Sequence, residues 1–470
     1  MIKYTAFVFV LLVNISTFSQ QQNLEGIWTG KLALPNSMEL TIVFNLSKDD
    51  AGKYSTTLDS PDQGAIAIPT ESTTINGDSI LIKIPVIQGF YAGKIFFDNM
   101  EIVGKWYQGG MSLDLSVKKV DKLEGPKRPQ EPKEPFPYYS EEVLFENELD
   151  NVVLAGTLTF PKQGNNFPAV VMITGSGGQN RNEELLGHKP FLVIADYLTK
   201  NGIAVLRFDD RGIAQSTGDH NAATSEDFAR DVLSAIDFLK TRKEMNQSKI
   251  GLIGHSEGGL IAPMVAVQSN DVAFIVLMAG TGIPGDSILY LQGALIQRAE
   301  GTSEDEIQRS ITLQKEIFSI VKNTDNDELL NKNLEEKFRS EYSKMTEDEK
   351  NKLGDPEVYL KMQMQTITSP WFKYFLRYDP GPTLEQVKCP VLAINGEKDL
   401  QVPPKENLSA IASALKKGNN TNFETKELAG LNHLFQTSTT GKISEYGKIE
   451  ETISPVALET ILNWIKKITK

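Results

Sequence analysis

From residue 169 onward the chain repeats one pattern: a short, almost wholly apolar run, then a loop, then a helical stretch. The runs are residues 169–173, 203–208, 250–253, 273–277 and 391–394. A strand that is apolar at nearly every position has no face to give to water, so it is buried on both sides, as in a parallel sheet covered by helices. Between the runs, Phe228, Val232, Ile236 and Leu239 share one helical face, and Thr224 with Asp227 has the spacing of a capping box. Such alternation predicts an open α/β sheet whose functional loops lie at the carboxyl ends of its strands.

The sharpest motif sits at one of those ends. Gly254-His255-Ser256-Glu257-Gly258 follows the run 250–253 and precedes a helical stretch containing Leu260, Ile261 and Val265. Gly-x-Ser-x-Gly between strand and helix is a nucleophile elbow: the turn is so tight that its flanks accept only small residues, and it lifts the serine hydroxyl clear of the sheet. The helix that follows offers backbone N–H groups and a positive dipole end to a developing oxyanion. A hydroxyl at neutral pH needs a base, and the base needs an orienting carboxylate. The chain has 4 histidines, His188, His220, His255 and His433. His433 is the preferred base, in a loop between a strand-like stretch and the terminal helix. His255 adjoins the nucleophile, so its ring is expected to point away from the hydroxyl and pack under the elbow. His188 and His220 read as polar loop surface. The loop after 391–394 offers Asp399 as the orienting acid, with Glu397 in reserve. Asp209, Asp210 and Arg211 read as a structural ion-pair knot beneath the site.

Upstream the periodicity is different. Leu40, Ile42, Phe44 and Leu46 alternate with polar neighbours, as do Met111, Leu113, Leu115 and Val117. Period two with frequent turn signals predicts a compact antiparallel β domain over 20–121, a barrel or a sandwich. Trp28 and Trp106 are either a ligand-binding aromatic pair or plugs of that domain's core, and the second is preferred. Residues 122–139 are charged and proline-rich, which predicts an extended, semi-rigid linker. The α/β domain then fills 140–470. The stretch 1–19, with Lys3, an apolar core over 6–13 and small residues Thr17 and Ser19, reads as a signal peptide cut before Gln20. No cysteine lies near that cut to carry a lipid, and no later apolar run reaches the ~20 residues that span a bilayer. The expectation is an exported protein, periplasmic or extracellular, without a membrane anchor.

Composition narrows the partners. With 61 acidic against 48 basic residues the net charge is −13, which repels phosphate backbones and argues against nucleic acid. Cys389 is the single cysteine, so there is no internal disulfide and no Cys-rich metal site.

The order Ser256, Asp399, His433 is that of α/β-hydrolases. With it, Gly175-Ser176-Gly177-Gly178, Asp209-Asp210-Arg211-Gly212, Gly254-His255-Ser256-Glu257-Gly258 and Gly396-Glu397-Lys398-Asp399 make the chain resemble secreted bacterial serine esterases related to the dienelactone hydrolase and serine aminopeptidase branches. The resemblance runs from about residue 141 to the C-terminus, and a small preceding β domain also occurs in that group. True dienelactone hydrolases have a cysteine where this chain has Ser256. The resemblance implies an oxyanion hole made of the N–H of Glu257 and one from the loop 175–178, for which Ser176 is named and Gly177 comes next. Between about 283 and 383 an inserted helical lid is expected. Its aromatic residues Trp371, Phe372, Tyr374, Phe375 and Tyr378 either line an acyl pocket or hold the lid to the core. The implied activity is hydrolysis of a small-molecule carboxylic ester of short to medium acyl chain, with no cofactor and no metal. The alternatives are a serine peptidase of the prolyl-oligopeptidase or aminopeptidase type, and a non-catalytic binding protein on the same scaffold.

Overall fold

A computed structural model describes residues 23–34, 39–49, 51–63, 65–108, 111–123, 127–347, 350 and 356–470; the signal peptide expected over 1–19 lies outside them. The first sheet contains β1 (Gly26–Ala33), β2 (Glu39–Lys48), β3 (Tyr54–Ser60), β4 (Ala65–Pro69), β5 (Ser72–Asn76), β6 (Ser79–Ile84), β7 (Gly89–Phe96), β8 (Glu101–Gln108) and β9 (Met111–Val120). Its order is β4-β3-β2-β1-β9-β8-β7-β6-β5, with antiparallel neighbours throughout. It is one open, curled sheet, a half-barrel rather than a closed barrel or a two-sheet sandwich. Its two ends approach each other where Thr73 Oγ1 of β5 donates to Thr56 Oγ1 of β3 at 2.7 Å. The alternating apolar residues face inward. Trp28 and Trp106 are buried there with Phe44 and Tyr91, so both indoles are core plugs and not a ligand platform. The Trp28 indole N–H is satisfied by Leu24 O at 2.8 Å.

The second sheet follows the α/β alternation. In chain order its elements are β10 (Tyr138–Asn147), β11 (Val152–Pro161), β12 (Phe167–Ile173), α1 (Pro190–Lys200), β13 (Ala204–Phe208), α2 (Ser225–Thr241), β14 (Met245–His255), α3 (Glu257–Gln268) and β15 (Phe274–Met278). After the lid come β16 (Val391–Gly396), the helix Pro404–Lys417, β17 (Phe423–Leu428) and the helix Pro455–Ile468. The sheet order is β10-β11-β13-β12-β14-β15-β16-β17. β10, β11 and β13 pair antiparallel, and every later neighbour pairs parallel. This is the α/β-hydrolase fold. Strands β13, β15 and β16 are buried at every residue, as their composition requires. Thr224 and Asp227 cap α2 as a reciprocal box.

The lid between β15 and β16 holds α4 (Gly285–Ala299), α5 (Glu304–Asn323), α6 (Asp327–Lys344) and the helices Pro356–Ile367, Pro370–Arg377 and Gly381–Leu384. It has its own small core around Phe318, Val321, Leu334 and Phe338, against which Phe372 packs. Trp371, Tyr374, Phe375 and Tyr378 instead pack on the core of the α/β domain, so these four rings fasten lid to sheet. Among the described residues no helix is long and apolar enough to cross a membrane, and no group of three or more His, Cys, Asp or Glu is placed to hold a metal ion.

Candidate active site

β14 is buried from Ile250 to its last residue, His255, and the chain then reverses at Ser256 with φ 53° and ψ −114° before α3 begins at Glu257. A left-handed φ on a residue with a side chain is strained by about 1–3 kcal/mol and persists only where the surroundings enforce it. Two glycines make the turn feasible. A Cβ on Gly254 would lie 2.0 Å from Gly258 O, and one on Gly258 would lie 2.1 Å from Ile173 O of β12. The strained turn is pinned by Ser256 N to Met278 O at 2.8 Å and by Gly259 N to Ser256 O at 2.9 Å.

Asp399 and His433 meet at the same end of the sheet. Asp399, 2% exposed, sits in the loop after β16. Its Oδ1 accepts from the backbone N–H groups of Gln401 and Val402, both at 2.8 Å. Its Oδ2 lies 2.8 Å from His433 Nδ1 and also accepts from Asn395 at 3.3 Å. Both backbone bonds aim the carboxylate at the ring. Glu397, the reserve candidate, is exposed and accepts from Gly430 N at 2.8 Å, which braces the loop leading to His433 without touching the imidazole.

His255 is buried beneath the elbow, as its position beside Ser256 predicts. Its Nδ1 lies 2.9 Å from Glu183 Oε1 and its Nε2 lies 3.0 Å from the backbone oxygen of His433. Burial disfavours its charged form, but Glu183 and the His433 carbonyl outweigh that and raise its pKa above the usual histidine value. Glu183 is a residue the sequence reading missed. Its Oε1 also accepts from Gly175 N at 2.8 Å, so one buried carboxylate oxygen ties the glycine-rich loop to His255 and, through it, to His433. That bond occupies the N–H of Gly175, while those of Ser176 and Glu257 have no hydrogen-bond partner among the described residues. No periodicity or motif marks Glu183; its position in the loop after β12 is the one signal the sequence carries.

The Glu257 side chain is a second surprise. It is 3% exposed, and its Oε1 accepts from Ser225 Oγ at 2.6 Å and from Trp371 Nε1 of the lid at 2.8 Å. Its Oε2 is buried with no partner, and burial raises its pKa. The lid is thus hydrogen-bonded to the residue that follows the elbow serine.

Two expectations need correction. His188 is not polar surface: it is 0% exposed, with Nδ1 2.9 Å from Thr452 Oγ1 and Nε2 2.9 Å from Tyr446 O. The tertiary fold lays the segment around 446–452 over it. His220 is half-buried and stacks on Phe228, with ring centroids 5.1 Å apart. The ion-pair knot is also divided differently. Asp209 pairs with Arg181 through two hydrogen bonds, at 3.1 and 2.7 Å, and Arg211 grips Asp231 through two, both at 2.7 Å. Asp210 takes instead the Thr174 hydroxyl at 2.7 Å and the Gln179 N–H at 2.8 Å, and burial pushes its pKa well up.

Comparison with known proteins bears on this architecture. Residues 150–426 match the family model of X-Pro dipeptidyl-peptidase (S15 family). The esterase EstD of Thermotoga maritima is 31% identical over 160 residues, which are 33% of this chain and 38% of that protein. An uncharacterized 31.7 kDa protein of Escherichia coli is 25% identical over 225 residues, 47% of this chain and 72% of its own. Among solved structures, the esterase Pf2001 of Pyrococcus furiosus aligns with a TM-score of 0.41 at 15% identity, over 70% of this chain and 93% of that one. The α/β-hydrolase GrgF of Penicillium sp. sh18 gives 0.44 at 18%, over 71% and 99%. Since the family model spans more than half of its length, the chain belongs to the X-Pro dipeptidyl-peptidase (S15) family of α/β-hydrolases.

Proposed function

We propose that this hydrolase cleaves carboxylic esters through an acyl-enzyme, with Ser256 as nucleophile, His433 as base and Asp399 as orienting acid. The observation that carries the reading is the buried 2.8 Å bond between His433 Nδ1 and Asp399 Oδ2, at the sheet end where Ser256 is held in its strained turn. Asp399 keeps a proton on Nδ1, which leaves the Nε2 lone pair to take the proton of Ser256 as Oγ attacks the carbonyl carbon. The alcohol leaves with that proton, and water then repeats the sequence to release the acid. The N–H groups of Glu257 and Ser176 receive the oxyanion, aided by the positive end of α3. The reading invokes no cofactor. A lid fastened by aromatic rings suits short to medium acyl chains; each further methylene that fits is worth only about 1–3 kcal/mol, so selectivity is graded.

A serine peptidase is the second reading, favoured by the description of the matching family. The same nucleophile would attack an amide. Steady-state kcat/KM on p-nitrophenyl acetate, butyrate and palmitate against aminoacyl and X-Pro p-nitroanilides separates the two. Short esters should lead, with palmitate falling off; anilides outrunning them would transfer the assignment to the peptidase. Ser256→Ala should lose labelling by a fluorophosphonate probe and at least ~10³ in turnover. A folded Ser256→Ala protein that still labels would remove Ser256 from the role. Export, read from residues 1–19, is part of the proposal, and a chain that keeps Met1 after secretion assays would contradict it.

A further inference from the structure

The segment joining the two sheets reads in the sequence as a spacer, yet its side chains are spent inside the α/β domain. The Arg128 guanidinium donates to four backbone carbonyls: Gly187 and Leu186 at 3.0 Å each, Gly447 at 3.0 Å and Ile449 at 2.8 Å. Gln130 donates to Ile453 O at 2.7 Å and accepts from the N–H groups of Thr452 at 2.6 Å and Ile453 at 3.1 Å. A guanidinium presents its donors in one rigid plane, so carbonyls from two separate loops are fixed in a single geometry.

Both loops lead to His433. The side chain of Gln436, fully buried, donates to Glu451 O at 3.1 Å and to Tyr446 O at 3.4 Å, and accepts from Asn432 at 2.9 Å. The Gln436 N–H also donates to Asn432 Oδ1 at 2.9 Å and the Asn432 N–H to Gln436 O at 3.1 Å, so the turn that carries His433 is built on the segment Arg128 and Gln130 hold. Ser454 N adds a bond to Phe435 O at 2.8 Å. His188, from the loop on Arg128's other side, bonds Thr452 and the carbonyl of Tyr446. The Tyr446 hydroxyl in turn receives Gln401, two residues past Asp399, at 3.3 Å. The β domain reaches the same loop, since Leu186 N donates to Asp62 O at 2.7 Å.

We infer that Arg128 and Gln130 are positioning residues, a staple from the interdomain segment that sets His433 and Asp399 in place through residues 446–453. The inference rests on the roles proposed above for those two residues. The staple bonds neither the elbow nor the lid; its partners are residues 186–187 and 447–453, so its loss acts first on the placement of the base. A misplacement of about 1 Å at a reacting group costs up to about 100-fold in rate.

The test uses the full-length chain, p-nitrophenyl butyrate as substrate, and temperatures well below the unfolding transition. Arg128→Met should lower kcat by about tenfold to 100-fold with KM within about twofold of wild type. Arg128→Lys, whose single ammonium cannot hold carbonyls from both loops in one plane, should recover only part of the loss. A merely structural arginine would lower the melting temperature and leave kcat of the folded fraction untouched, and that result overturns the staple. Should Arg128→Met not fold, Gln130→Ala decides: a fall in kcat at constant KM supports the inference, and an unchanged kcat overturns it. Ser256→Ala and His433→Ala run beside these variants. If they retain wild-type turnover, the proposed function itself is wrong; if they lose it while the Arg128 and Gln130 variants keep it, only the staple is.

Discussion

Glu257 provides a quantitative test of the electrostatics beside the elbow. Its carboxyl is buried, with Ser225 and Trp371 both donating to Oε1 while Oε2 has no partner. Burial raises its pKa above the ordinary value of 4.5, and the two hydrogen bonds only partly offset this. A raised folded-state pKa means that the group favours folding below the unfolded pKa. That contribution is lost as pH climbs from there to the folded pKa, because the unfolded chain releases the proton first. The loss is about 1.4 kcal/mol per pH unit across that window. Glu257→Gln keeps the shape and an oxygen for both donors and cannot ionise. Its stability relative to wild type should therefore climb by about 1.4 kcal/mol per pH unit above about pH 4.5, then level off where Glu257 ionises in the folded protein. Asp210 works in the same direction, since a charged Glu257 raises the Asp210 pKa further. Urea unfolding followed by circular dichroism, at half-unit steps between pH 4 and 8, measures the difference directly. A difference that is flat with pH, or that falls as pH rises, would refute a buried, proton-holding Glu257.

Two further outcomes follow from the same geometry. His188 is pushed down to about 4 by burial, with Arg128 adding to the effect, from an ordinary 6.5. Below pH 6.5 the unfolded chain takes the proton that the folded one refuses, so stability present above that pH drains away down to about pH 4, by up to roughly 3 kcal/mol. His188→Gln should flatten this acid limb in urea titrations, and an unchanged limb would exclude His188 as its source. Gly258→Ala places a methyl group 2.1 Å from Ile173 O, an overlap that only a shift of α3 off β12 relieves. Overpacking of that kind costs about 1–3 kcal/mol or more, so the variant should melt earlier and lose fluorophosphonate labelling together. A Gly258→Ala protein as stable and as reactive as wild type would contradict the elbow geometry.

Much of the architecture is legible from local chemistry. The apolar runs at 169–173, 273–277 and 391–394 announce strands with no wet face, and β12, β15 and β16 are buried accordingly. β14 begins at Met245 rather than near 250, because Asn246, Gln247 and Ser248 at its exposed start carry no apolar signal while the backbone already pairs with β12. The alternation around Leu40–Leu46 identifies the inward face of β2 but not the shape of the sheet. Closure depends on how nine strands twist together, and the outcome is a half-barrel.

What the sequence by itself determines is whatever depends on neighbours along the chain. Periodicity selects strand or helix, and the glycines of Gly254-His255-Ser256-Glu257-Gly258 permit a turn that larger side chains would block. The candidate site is only half of this kind. Asp399 and Glu397 lie two residues apart in one loop, and which of them meets His433 depends on two backbone N–H groups that turn the Asp399 carboxylate inward. Glu183 beneath His255, Trp371 on Glu257, and Arg128 on Gly447 and Ile449 join residues 72, 114, 319 and 321 positions apart. No local rule brings such pairs together. Their polar groups are driven to each other because folding removes them from water, and a buried donor or acceptor without a partner costs about 1–3 kcal/mol. Only the packed tertiary structure decides which groups are buried side by side, and so which of them share a bond.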